Sequence, residues 1–64
     1  MNDMWYRQGN VWRFIPVPGV TVAVFMGRWT AFLNNAPMKG VPASKSSDRV
    51  KRAVWEYFDK RVNL

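Results

Sequence analysis

The stretch Val20-Thr21-Val22-Ala23-Val24-Phe25-Met26-Gly27-Arg28-Trp29-Thr30-Ala31-Phe32-Leu33 holds two apolar runs on either side of a glycine. Side chains on a strand alternate between faces, so a period of two marks a half-buried strand. Val20, Val22, Val24 and Met26 share one face, and Thr21, Ala23 and Phe25 share the other. Glycine at the first position of a two-residue loop is the type II′ hairpin signal, which makes Gly27-Arg28 the turn. That turn pairs Met26 with Trp29, Val24 with Ala31 and Val22 with Leu33. All six fall on one face, so turn chemistry and apolar pattern agree.

Upstream, Val11 to Val17 is β-branched and aromatic and reads as another strand, with Pro16 marking an edge or an end. Pro18-Gly19 is a turn: proline presets the second position, and glycine accepts a positive φ at the third. A two-residue loop there would put Arg13 on the core face. A three-residue loop, Val17-Pro18-Gly19, sets Trp12 and Phe14 with Val22 and Val24 and turns Arg13 outward. Burying an unpaired guanidinium costs several kcal/mol, so the second register is expected. Residues 1–10 read as an amino-terminal arm that docks through Trp5 and Tyr6.

Downstream, Asn34-Asn35 is a second turn, since asparagine tolerates left-handed backbone. A short fourth strand fits Ala36 to Val41, though Pro37 and Gly40 weaken it. The linker Pro42-Ala43-Ser44-Lys45-Ser46-Ser47 ends in residues that cap helices. Val50, Ala53, Val54, Tyr57 and Phe58 then make one apolar stripe, which predicts a helix over 47–62. The expectation is one α+β domain spanning 1–64, with a three- or four-stranded antiparallel meander over 11–41 packed on a carboxy-terminal helix. One helix covers one face of such a sheet and leaves the other open.

Composition narrows the chemistry. The chain has 64 residues, no cysteine and no histidine. It therefore lacks a thiolate nucleophile, the commonest general base and the commonest transition-metal ligand. The four acids are Asp3, Asp48, Glu56 and Asp59. Asp48, Arg52, Glu56 and Lys60 alternate in sign at i, i+4, the pattern of surface helix pairs rather than of a catalytic cleft. The glycines are isolated turn residues and form no phosphate loop. The reading is a non-enzymatic protein without cofactor or metal. It is expected to be cytoplasmic, because no signal-like start or membrane-length apolar run occurs.

Ten Lys/Arg against four Asp/Glu give a net charge of +6 and a pI near 10.6, which suits a polyanionic partner. On the open face, Arg13, Arg28 and Thr30 stand with Phe25 and Phe32. Arginines and threonine can hold phosphates or read base edges in a major groove, while the rings can stack unpaired bases. Lys39, Lys45, Arg49 and Lys51 have fewer obvious acidic neighbours than Arg52 and Lys60 and are expected to form a phosphate-clamping rim around the helix start. Nucleic acid, DNA over RNA, is the leading partner. The rival is a protein-interaction module or inhibitor that meets an acidic partner through exposed aromatics, possible also as a homodimer. Trp55, off the centre of the helix stripe, would be an anchor there, or else would be covered by Trp5 and Tyr6.

The order of strands, linker and one amphipathic helix resembles the small sheet-reading DNA-binding domains, namely the arm-binding domains of phage-type tyrosine integrases and the plant ethylene-response type. The resemblance spans roughly Val11 to Phe58. It is prompted by Arg28-Trp29-Thr30-Ala31-Phe32 as a strand and Ser46-Ser47-Asp48-Arg49-Val50-Lys51-Arg52-Ala53 as the helix opening. It implies a helix behind the sheet and a sheet in the major groove. Asn34 to Ser46 is longer than the matching turn in those families and carries prolines, so no family residue is transferred as a site.

Overall fold

The computed structural model describes residues 4–62, with side chains as far as Asp59. Five strands precede one helix: β1 (Trp5–Gln8), β2 (Val11–Phe14), β3 (Val20–Phe25), β4 (Arg28–Leu33), β5 (Ala36–Pro37) and α1 (Ser47–Val62). They form one antiparallel sheet in the order β1-β2-β3-β4-β5. The class is α+β, as the pattern implied, but the strands number five rather than three or four. The extra strand is β1, in the stretch expected to be an arm. Gly9, at φ +64, begins a two-residue turn that brings Gln8 opposite Val11 and Trp5 opposite Phe14. Among the described residues, Trp5–Gln8 thus extend the sheet sideways rather than fold over its open face. The expected fourth strand shrinks to Ala36–Pro37.

Both hairpin registers differ from expectation by two residues. In the β3–β4 hairpin the turn is Met26-Gly27, not Gly27-Arg28, with φ of +53 and +79. Positive φ at both positions is the type I′ pattern, whose twist matches that of paired strands. Val24 therefore faces Trp29, Val22 faces Ala31 and Val20 faces Leu33. This register sets Val20, Val22 and Ala31, all fully buried, in the core with Val50 and Val54. Met26 leaves the core face and becomes the hairpin tip. Between β2 and β3, Trp12 opposes Val22 rather than Val24, and Arg13 opposes Thr21. The connection is 15–19, longer than the loop of three expected. Val20 N–H donates to Val17 C=O at 2.9 Å across Pro18-Gly19, yet Gly19 does not take the positive φ anticipated for it. A shift of two preserves facing. Trp12 and Phe14 point to the core side and Arg13 to the open side, as the cost of a buried guanidinium required.

The helix begins where serine can cap it. Ser46 Oγ accepts from the Arg49 N–H at 3.4 Å, and Asp48 places a carboxylate in the first turn, at the positive end of the helix dipole. Val50 and Val54 are fully buried, with Ala53, Tyr57 and Phe58 packed beside them. The aromatic part of the core is centred on Phe14. Its ring lies 4.7 Å from that of Trp5 and 5.7 Å from that of Phe58, spacings at which ring pairs add about 0.5–1.5 kcal/mol beyond burial. The linker after β5 runs back along β4: Met38 N–H donates to Ala31 C=O at 2.9 Å, and Trp29 and Ser44 exchange backbone bonds of 2.7 and 3.0 Å. That edge of the sheet is thereby covered.

Candidate nucleic-acid interface

Register decides which side chains share the open face. Tyr6, Arg13, Thr21, Phe32 and Pro37 form one row across all five strands. Ala23 and Thr30 form the next row, and Phe25 and Arg28 the last, beside the turn. Rows two residues apart are separated by about 6.7 Å. Phe25 and Phe32 sit two rows apart on neighbouring strands, yet their rings meet edge to face with centroids 6.1 Å apart. The small Ala23 and Thr30 between them leave room for that contact. Phe25 remains half-exposed and Phe32 partly so. Neither ring is sealed inside the protein.

Five of the site residues expected from sequence, Arg13, Arg28, Thr30, Phe25 and Phe32, therefore share this surface. Tyr6 joins them as the cross-strand partner of Arg13, 49% exposed. Sequence reasoning missed it. Its signal was the alternation Trp5 inward, Tyr6 outward, which is short but follows the strand period. Arg13 Nε donates to Gln8 Oε1, which holds the guanidinium over the β1–β2 part of the face. Thr30 Oγ1 is 3.4 Å from the Arg28 carbonyl oxygen, a weak contact from which the hydroxyl can turn outward.

The electrostatics of the face follow from a gap in the sequence. Met4 to Ser47 contains no Asp or Glu, but it carries Arg7, Arg13, Arg28, Lys39 and Lys45. The described acids Asp48, Glu56 and Asp59 all lie on α1, behind the sheet. Every formal charge on the strands is positive. Among the described residues, Arg28, Lys39, Lys45, Arg49 and Arg52 have no ion-pair partner.

The expected rim around the helix start is only partly present. Lys39, Lys45 and Arg49 are exposed. Arg49 lines a shallow cleft of about 250 Å³ with Pro42, Ala43, Ser44 and Ala53. Lys51 does not belong to that rim. It is 6% exposed, with Nζ 3.8 Å from the Trp12 ring centroid and 3.3 Å from Asp48 Oδ1. Its stem is packed against the sheet and its charge is used inside the protein. Asp48 is accordingly paired at i+3 with Lys51, not at i+4 with Arg52 as the alternating ladder suggested.

Trp55 is not a fully exposed anchor: partly buried, it packs against the core cluster to which Trp5 belongs, while Tyr6 points to the open face of the sheet. With Phe14, Pro16, Val17, Phe58 and Asp59, Trp55 lines a second hollow of about 260 Å³ beside the β2–β3 connection. Among the described residues no group of three or more His, Cys, Asp or Glu is placed to hold a metal ion, and no helix is long and apolar enough to cross a membrane. Comparison with protein-family models, curated proteins and solved structures finds no match for this chain.

Proposed function

We propose that this chain is a non-enzymatic DNA-binding domain that lays its open sheet face on the duplex. The observation that carries the reading is the make-up of that face: rings and guanidiniums share one surface whose supporting strands hold no carboxylate. Arg13 and Arg28 stand at opposite ends of it, suited to phosphates or guanine edges. Thr30 lies between them as a hydroxyl for base edges. Lys39, Lys45 and Arg49 lie outside the face and would strengthen the attraction over a longer range.

The rings favour a duplex over a single strand. Stacking of successive unpaired bases needs ring faces that are free. Phe25 and Phe32 are turned on each other at 90° instead. Together they form a raised apolar spot beside Arg28, suited to the apolar parts of a duplex rather than to a splayed strand. The layout resemblance to sheet-reading domains supports the same assignment.

The test is a mobility-shift titration of the full chain with duplex DNA of random sequence, repeated at rising salt. The wild type should bind at ~100 mM salt and weaken steeply above it, because released counterions drive the association. The double variant Arg13→Ala with Arg28→Ala should bind more weakly while its circular dichroism stays unchanged. A folded double variant that binds as tightly as the wild type would remove the sheet face from the account.

A further inference from the structure

The tip of the β3–β4 hairpin is built against the preference of its own backbone. Met26 occupies the first turn position at φ +53. Left-handed backbone costs a residue with a Cβ roughly 1–2 kcal/mol, and asparagine or glycine is the usual occupant of this position. Met26 returns nothing to the core, because it is 87% exposed. Val24 and Phe25, the two residues before it, are 56% and 53% exposed. Three consecutive apolar residues are thus half or more exposed, a run that a hairpin turn does not require. A strained residue on an exposed apolar projection points to a contact outside the chain.

The surroundings of the tip restrict what that contact is. Phe25 is the cross-strand partner of Arg28, so an apolar ring and a guanidinium emerge together beside the turn. A ligand that satisfies both offers an apolar slot with an anionic margin. A stacked base step between two phosphodiesters has that composition.

We propose that Met26, backed by Phe25, is a wedge that enters a base step of bound duplex DNA and kinks it. This rests on the DNA-binding reading above and adds a mode of binding to it. Protruding methionine and phenylalanine side chains part stacked pairs in this way. Unstacking costs a few kcal/mol per step, offset by the extra protein surface that bent DNA can touch. Methionine suits the task, being unbranched, polarizable and adaptable. Arg28 holds the flanking phosphate. The wedge should favour pyrimidine–purine steps, which unstack most easily. An anionic bilayer also offers an apolar interior beneath charge. However, the charge on this face is not confined to the tip: beside the Phe25–Phe32 pair it continues through Thr30 and Thr21 to Arg13, so cations are spread along the sheet as phosphates are along a groove.

The test compares the wild type with Met26→Asn, which installs a residue that the turn prefers. Melting of the free proteins, end-to-end fluorescence transfer in a doubly labelled duplex containing a central TA step, and affinity are each measured. The variant should melt about 4 °C higher, since relief of strain appears directly in Tm. It should lose the DNA bend and bind about tenfold more weakly, with an unchanged salt slope because no phosphate contact is lost. A variant that bends DNA as the wild type does overturns the wedge. So does a wild type that binds duplex without bending it. A wild type that binds no duplex removes the DNA reading itself. If it then binds phosphatidylserine vesicles through Met26, the tip belongs to a lipid surface and the wedge is overturned.

Discussion

Lys51 Nζ stands 3.8 Å from the centroid of the Trp12 ring and joins the first turns of α1 to β2. Arg7 approaches the same ring from the neighbouring strand, with Cζ 5.7 Å from the centroid. Trp12 lies on the core side of the sheet, so this cluster closes the margin of the core with cations rather than with more hydrocarbon. A cation over indole is worth about 0.5–2 kcal/mol, more as water is excluded, and the lysine stem adds packing of its own.

Lys51→Ala should therefore lower the unfolding free energy by about 1–2 kcal/mol in a urea titration. It should leave the salt slope of DNA binding unchanged, because this ammonium is turned into the protein. Loss of DNA affinity with no loss of stability would return Lys51 to the binding surface.

Arg28 and Arg52 make a matched pair of exposed arginines, one on the open face and one on the helix behind it. Arg28→Ala should reduce the slope of log K against log salt by about 0.9, the contribution of one phosphate contact. Arg52→Ala should leave it unaltered. Equal effects from both would mean that binding follows net charge and not a face.

Ser46→Ala removes the hydroxyl that accepts from Arg49 N–H. Loss of such a cap costs about 1 kcal/mol, which in a domain of this size lowers Tm by about 4–8 °C. Calorimetry on the variant measures the shift directly. A Tm within a degree of the wild type would show that the helix start is held by other contacts.

Phe14 is almost completely buried between Trp5 and Phe58. Phe14→Ala costs about 3–5 kcal/mol in a close-packed core. A core this small rarely supplies more than about 3–5 kcal/mol in total. The variant should be largely unfolded at 25 °C, with collapsed amide dispersion in its NMR spectrum. A well-dispersed spectrum would place the main stabilisation elsewhere.

The helix was legible because two signals coincide: serines at 46 and 47, then an apolar stripe through Val50, Val54 and Phe58. The open face was legible because side-chain parity survives a register shift of two, so Arg13, Phe25 and Phe32 point outward in either pairing. The register itself was not legible. Gly27 serves equally as first residue of a type II′ turn or second of a type I′ turn, and only the fit of Ala31 and Val22 beneath the helix separates them. β1 was hidden because four residues give too few alternations to stand out from a terminus. Lys51 was misplaced because nothing local to the helix reveals that a tryptophan ring from β2 lies over its ammonium.

Amide chemical-shift mapping with a short duplex, in ~100 mM salt where surface charges are already partly screened, probes the open face most directly. Shifts are expected at Tyr6, Arg13, Thr21, Phe25, Arg28, Thr30 and Phe32, with Arg52 and Glu56 on the exposed side of the helix undisturbed. Shifts gathered on the helix, with that sheet surface silent, would contradict DNA binding through the open face.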